Sequence, residues 1–369
     1  MSRRKGTIRI NKRKFDILAT TLCVILGVVI LIAGTFTVMR MVGRSNMNKP
    51  VEGTGEEPMN IGEQIVVADG EPEPEEGVIL YKGAKYRLNE DMITILVMGI
   101  DKELVDNISG RLEKPDQNMG ELNGGQADAL FLALLNPHDK TISVIAINRN
   151  TMTDVDIFDV AGNYLGIRKM QVCLQHGYGD GGVESCLRQV RTVSRLFKGL
   201  AINSYAAISM DAIPKMNDAI GGVTVEVLED INLKGFNVKF TKGDIVTLYG
   251  NDAFWYVKYR NTEVFDSASS RLARQKQYIA AFGTKAKQKA LEDIRIAADL
   301  YTLMQAYTTT DMDINSFTYL ASEASGYTFS MDNIYTLQGE TVMGADYEEF
   351  YADEEALEDL IIQLFYEPV

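Results

Sequence analysis

The chain has 369 residues, enough for a sizeable core or two domains, and a formal net charge of -14 that is distributed unevenly. Residues 1–49 hold ten Lys and Arg against one acid, residues 301–369 hold fourteen acids and no base, and residues 91–300 are nearly balanced at 24 bases and 26 acids. An exterior without a basic face argues against nucleic acid as partner, and three cysteines are too few for a disulfide scaffold.

The amino-terminal cluster Arg3, Arg4, Lys5, Arg9, Lys12, Arg13 and Lys14 precedes Ile17–Met39, an uncharged and mostly apolar stretch. Its length crosses a bilayer as a helix, and the basic flank predicts a cytoplasmic N-terminus with the bulk of the chain outside the cell. The run is longer than a signal-peptide core and Arg40 follows it directly, which argues against cleavage. From Pro50 to about Gly83 the sequence is dense in acids and proline, including Glu71-Pro-Glu-Pro-Glu-Glu76. Such composition cannot repay the cost of ordering, so an extended spacer is expected. The implied organisation is a basic tail (1–15), a transmembrane helix (16–41), an acidic disordered linker (42–88), a domain (89–290) and an acidic helical extension packed on that domain (291–369).

Within the domain, Met92–Met98 reads as a buried strand, broken by Gly99-Ile100-Asp101. A long polar, Gly-rich loop follows from Lys102 to Gly125. Ala127–Leu135 returns to strand with Asp128 at its start, and Asn136-Pro-His-Asp139 is turn chemistry. The next strand, Thr141 to Thr151, is Val- and Ile-rich without clean alternation, as expected for a strand covered on both faces, and it ends in Arg149. An antiparallel hairpin would bring Asp128 and Arg149 to one rim, where open α/β sheets place their ligand crevices and where a guanidinium fork suits phosphate oxygens. Asp101 suits a metal or hydroxyl contact, or a plain turn. Tyr205 to Val227 reads as strand, helix, tight Gly221-Gly222 turn and strand. Asn251 to Arg260 is helical and delivers Lys258 and Arg260, while Arg271 and Arg274 open a helix reaching about Ala290. Further helices are expected at Ile294–Thr308, Ile314–Ala324 and Ala352–Phe365, the last burying Leu357, Leu360, Ile361 and Leu364. Cys173 and Cys186 could pair outside the cell, but two free buried thiols are the more ordinary outcome.

The ordered succession of these motifs resembles the LytR-CpsA-Psr family of cell-envelope proteins. It comprises the strand ending in Gly-x-Asp101, the loop into Asp128 and its apolar run, the return to Arg149-x-Thr151, Gln175-His-Gly-Tyr-Gly-Asp-Gly-Gly182, Ile220-Gly-Gly-Val-Thr-Val225, and Gly250–Arg260 leading into Arg271-Leu-Ala-Arg-Gln275. The resemblance spans about residues 90–290. It implies an α/β/α sandwich with a central mixed sheet, preceded by a single transmembrane helix, whose hydrophobic cleft takes a polyprenyl chain. The implied activity is phosphotransfer: an anionic glycopolymer, teichoic acid- or capsule-like, moves from a polyprenyl-pyrophosphate carrier to peptidoglycan or another envelope acceptor, with pyrophosphatase as a side activity. By the same resemblance Asp101 and Asp128 would hold Mg²⁺ or Mn²⁺, Arg149, Lys258, Arg260 and Arg271 would be the catalytic cations, and Arg274, Asp266, Gln126 and Asn150 would line the substrate.

Several positions depart from the family pattern. Arginine, serine, aspartate and threonine are here Gln126, Ala127, Asp128 and Ala129; aspartate after the strand-end arginine is Asn150; the first arginine of the later pair is Lys258; and the acid before Arg271 is Ala268, with Asp266 nearest. These changes motivate a second reading, a non-catalytic polyprenyl-pyrophosphate or envelope-polymer binder, in which Gln126→Arg with Asn150→Asp would create activity. A third reading, a membrane transcriptional regulator, has only a short basic tail to work with.

Overall fold

The computed structural model describes residues 12–56, 59–62, 77–101, 124–159 and 161–369. The acidic run 71–76 and nearly all of the expected loop at 102–125 therefore lie outside the described residues. Helix α1 (Lys12–Met47) opens the chain, and its Val28–Met47 portion is long and apolar enough to cross a membrane. Val28, Val29, Ile30, Leu31 and Ile32 are each at least half exposed, an arrangement suited to lipid rather than water.

The hairpin β1 (Val78–Tyr81) and β2 (Ala84–Leu88) precedes three long strands, β3 (Ile93–Asp101), β4 (Gln126–Asn136) and β5 (Thr141–Ile147). A ribbon of β6 (Met152–Phe158) and β7 (Tyr164–Gln171) leads to α2 (Val183–Leu196), β8 (Ser204–Ser209) and α3 (Ala212–Ala219). Two small antiparallel pairs follow, β9 (Val223–Glu226) with β12 (Ile245–Leu248) and β10 (Ile231–Leu233) with β11 (Val238–Phe240). Helices α4 (Asn251–Lys258), α5 (Ser267–Glu292) and α6 (Ile294–Tyr307) come next, then β13 (Thr308–Thr310), α7 (Ile314–Gly326) and β14 (Ile334–Thr336). The hairpin β15 (Gly339–Met343) and β16 (Glu348–Ala352), helix α8 (Glu354–Phe365) and β17 (Tyr366–Pro368) end the chain.

The main sheet is mixed and runs β13-β8-β3-β4-β5-β14. Its central strands are apolar on both faces because both are covered. On one face Leu96, Leu130, Leu132 and Ile145 pack with Val190 and Val193 of α2 and Ile361 and Phe365 of α8. On the other, Phe131 and Ala146 meet Leu272 and Ala280 of α5, and Ile93 and Ile95 meet Tyr319 of α7. This is the sandwich that the resemblance implies, and the covering of both faces is what the strand patterning predicts.

Two regions differ from the sequence-based expectation. The stretch 42–88 is not spacer throughout: Met47, Val51 and Ile61 are buried in the core, and β2 pairs with both β1 and β17. A few apolar residues suffice to hold such a segment, and bulk acidity conceals them. Likewise α1 does not stop near residue 41. It continues onto α7, where Arg40 pairs with Glu323, and a Cβ at Gly43 would overlap the Asn315 carbonyl. The residues after 290, expected as a helical extension packed on the domain, also enter the main sheet, whose two edges β13 and β14 close. Strands of three residues carry too little periodicity to be read beforehand.

Candidate active site

The β4–β5 turn is set by side chains: Asn136 Oδ1 accepts from the His138 N–H at 2.9 Å and Asp139 Oδ1 from the Thr141 N–H at 3.0 Å. At the opposite end of the hairpin, β3 and β4 lose register between Gly99, paired with Ala129, and Ile100, paired with Ala127. Asp128 is thus the extra residue of a β-bulge, a device that re-aims a side chain. Regular alternation would turn Asp128 to the α2 face with Leu130; the bulge gives that face to Ala127 and leaves Asp128 facing α5. After β5, Asn148 accepts the Asn150 N–H on its side chain at 2.9 Å and the Thr151 N–H on its carbonyl at 3.0 Å. That turn holds Arg149 at the rim.

Asp128 lies between two guanidinium groups, with Arg149 Nη1 2.9 Å from Oδ1 and Arg271 Nη1 3.2 Å from Oδ2. Burial disfavours its charge, yet Arg149, Arg271 and Arg260 outweigh that penalty and hold the carboxyl below its ordinary range. For Arg149 burial again opposes charge and Asp128 wins, raising the guanidinium further. Burial pushes Arg271 down to about 10, still protonated at neutral pH. Arg149 also donates from Nη2 to Gln126 Oε1, and from Nε and Nη2 to Cys173 Sγ at 3.3 and 3.1 Å.

Lys258, the last residue of α4, places its ammonium 3.1 Å from Asp101 Oδ2 and 4.8 Å from the centre of the Phe254 ring. Arg260 donates from Nε to Ser267 Oγ at 2.9 Å and from Nη2 to Glu348 Oε2 at 2.7 Å. Asp101, Asp128, Arg149, Lys258, Arg260 and Arg271 therefore come together around one rim. Beside it is a cavity of about 290 Å³ lined almost entirely by apolar side chains. Small residues on the sheet, Gly99, Ala129 and Ala133, leave the space, and Met216 of α3 with Tyr278 and Phe282 of α5 roof it. Gly99, Ala129 and Val257 each lie one or two positions from a charged rim residue, so rim and cavity are continuous.

Arg271 is among the buried groups whose hydrogen-bonding capacity is not fully used. Arg271 Nη2 is buried without a hydrogen-bond partner, and a buried donor left unpaired costs about 1–3 kcal/mol. Arginine's fork offers several donors and here one is unused, as suits a site built for a further anion. As for a divalent metal, Asp128 Oδ1 makes no hydrogen bond although Arg149 Nη1 is close, because the N–H bonds are not aimed at it. Among the described residues no three His, Cys, Asp or Glu side chains form a metal-ligating group. Two carboxylates at this cation-rich rim nevertheless have the chemistry that Mg²⁺ takes, one or two protein carboxylates with the shell completed by other oxygens.

The remaining sequence-derived positions behave differently. Arg274 is expected at the substrate but is not there: it is buried, donating to the carbonyl oxygens of Tyr256 and Tyr259 and, from Nε, to Glu229 at 2.8 Å. A three-residue step along α5 turns it towards the end of α4, whose carbonyls it caps. Asp266 has a left-handed backbone (φ 58°) and accepts on Oδ1 from Ser269 at 2.7 Å and Thr341 at 2.9 Å. Asn150 is buried and turned to Glu348, while Gln126 faces Arg149. Both histidines lie elsewhere: His138 contacts Glu367 and Asp91, and His176 contacts the Gly125 carbonyl. Cys173 and Cys186 are free and buried. Sequence reasoning missed Cys173 and Glu348 as site neighbours. No local signal marks the second: that Glu348 and Phe350 face inward on β16 is evident only from the fold.

The LytR_cpsA_psr family model matches residues 63–364. The chain belongs to the LytR-CpsA-Psr family. Among curated relatives it is 24% identical over 278 residues to a polyisoprenyl-teichoic acid–peptidoglycan teichoic acid transferase TagU of Bacillus licheniformis, covering 75% of this chain and 78% of the relative. The crystal structure of B. subtilis TagV superposes with a TM-score of 0.55 at 22% identity, covering 74% of this chain and 95% of TagV. TagT bound to LI-WTA gives 0.51 at 18% identity, over 74% and 89% of the two chains. These likenesses establish the LytR-CpsA-Psr fold for the sandwich described above.

Proposed function

We propose that this protein is a membrane-anchored phosphotransferase that moves an anionic envelope glycopolymer from a polyprenyl-pyrophosphate carrier to peptidoglycan or a comparable acceptor outside the cell. The observation that carries the reading is the buried, unpaired Arg271 Nη2 within a ring of cations beside an apolar cavity. A lipid diphosphate has the complementary shape: a greasy chain for the cavity and phosphate oxygens for the rim. The names of TagU relatives and of the TagT complex support teichoic acid or a similar polymer as the cargo.

In this reading Arg149 and Arg271, fixed by Asp128, hold the diphosphate oxygens, and Lys258 and Arg260 face them from the end of α4. An acceptor hydroxyl attacks the glycan-bearing phosphorus, the bond from that phosphorus to the bridging oxygen breaks with its electron pair passing to the departing polyprenyl phosphate, and the hydroxyl proton passes to that phosphate or to water. Charge growing on the leaving phosphate is met by guanidinium groups that do not need to reorganise. Asp101 and Asp128 would hold Mg²⁺, which when bound supplies further neutralisation of phosphate charge. The side chains otherwise position the reactants, and no protein nucleophile is required.

The test is incubation of the purified full-length protein with a polyprenyl-pyrophosphate-linked glycan and an acceptor glycan, with and without Mg²⁺. Release of polyprenyl phosphate that Arg149→Ala removes is the expected result; absence of release by the unaltered protein rejects the reading. Gln126 favours a second reading, a carrier-binding protein without turnover, since a neutral amide receives one edge of Arg149. That reading predicts thermal stabilisation by the lipid diphosphate with no product.

A further inference from the structure

Glu348 reaches the site from β16, 88 positions beyond Arg260 in the sequence. Three donors converge on its carboxylate. Arg260 Nη2 donates to Oε2 at 2.7 Å, the Asp266 backbone N–H donates to Oε1 at 2.9 Å, and Asn150 Nδ2 reaches Oε2 at 3.4 Å. The residue is only 8% exposed. With both oxygens engaged it is a fixed counter-charge rather than a solvated acid of the tail.

Its surroundings fix it further. Gln171 Nε2 donates to the Glu348 carbonyl at 2.7 Å and to Asn150 Oδ1 at 3.3 Å, and the Phe350 N–H donates to the Asn150 carbonyl at 2.9 Å. Because Asn150 Oδ1 accepts from Gln171, its amide nitrogen is left to face the carboxylate. Positions 150 and 348 thus carry one negative charge between them, and it resides on 348. Arg260 is held at Nε by Ser267 and at Nη2 by Glu348, which sets the plane of the guanidinium and leaves its Nη1 edge for a further acceptor.

We propose that Glu348 is the positioning residue for Arg260, fixing the plane in which that guanidinium meets the diphosphate, and that the same work is done when the single charge is transferred to position 150. The inference rests on the transfer reading above. It also alters one expectation drawn from the family pattern: Asn150→Asp alone does not repair the site, because it sets a second carboxylate beside Glu348, and like charges at that distance disfavour joint ionisation.

The experiment is a charge-relocation series in the full-length protein: Glu348→Gln, Asn150→Asp, and both together. The first readout is kcat and KM for polyprenyl phosphate release, and the second is the thermal midpoint without ligand. Glu348→Gln should lower kcat/KM on the order of 10–100-fold, mainly through kcat, as misplacement of a catalytic cation does. Asn150→Asp should lower the midpoint, because it sets a second carboxylate against Glu348. The double variant should regain most of both losses, which a generic packing defect would not do. A double variant no better than the worse single, or Glu348→Gln within roughly twofold of the unaltered protein, overturns the proposal. If the unaltered protein releases no polyprenyl phosphate, the transfer reading fails by itself; the midpoint series then still judges the shared charge, and additive losses reject it.

Discussion

Around Asp128 the rim is built from adjoining strand ends, whereas around Arg260 it is assembled from segments that meet only once the whole chain has folded. Asp128 and Arg149 belong to one hairpin, tied by a side-chain-directed turn and aimed by a single bulge, and Arg271 joins them from α5. Arg260 follows α4, Asp266 precedes α5, Asn150 follows β5, and the carboxylate that joins them comes from β16. The first half is dense in buried charge and intolerant of losing any partner. The second disperses its holding contacts over a backbone N–H, an amide and a hydroxyl, so individual losses there should be graded and recoverable.

The sharpest attempt to break this contrast is Arg149→Ala. It should reduce kcat for polyprenyl phosphate release by about 10³-fold, the scale of losing a preorganised charge-stabilising donor. A loss below that of Glu348→Gln would mean that the Arg260 half carries the chemistry. Next is Asp128→Asn, which leaves Arg149 and Arg271 buried together without their anion and should cost about 3–5 kcal/mol of stability in a denaturant titration. The pH dependence follows from the lowered carboxyl: its folded value lies below the unfolded one, so its contribution is complete above the unfolded value of about 3.9 and is lost as pH falls through the folded value. Acid unfolding below about pH 4 should therefore be steeper in the unaltered protein than in Asp128→Asn.

A smaller effect is expected at Arg274. Arg274→Ala removes charged hydrogen bonds to the end of α4 and should lower stability by about 2–3 kcal/mol, with a fall in kcat that reports displaced Lys258 and Arg260. The smallest concerns Cys173. Cys173→Ala withdraws the acceptor of two Arg149 donors and should cost about fivefold in kcat/KM, whereas Cys173→Ser keeps an acceptor and should stay near the unaltered rate. Equal losses in the two variants would assign Cys173 to packing alone.

The sequence was most informative where chemistry and periodicity coincide. The long apolar strands, the Asn136–Asp139 turn and the helices carrying Lys258 and Arg271 are local features, and from them the meeting of Asp128 with Arg149 follows. Arg274 was misplaced because a three-residue step on a helix fixes a face only approximately, and the competing attraction, the open carbonyls of α4, belongs to another element. Glu348 was hidden for a different reason. It is one of fourteen acids in residues 301–369, and nothing local marks the one that a short strand carries inside. The same shortness of β13 and β14 concealed that the acidic C-terminal part completes the sheet rather than lying upon it.

The contact at Gly43 has a mechanical outcome. With α1 as the anchor, the helix passes from its lipid-compatible portion directly onto α7, with Met47 set among Ile93, Ile95 and Tyr319. Under the transfer reading, the proposed centre would then sit on a helical post instead of a tether. Any side chain at residue 43 would have to push α1 away from the Asn315 carbonyl of α7, loosening that post.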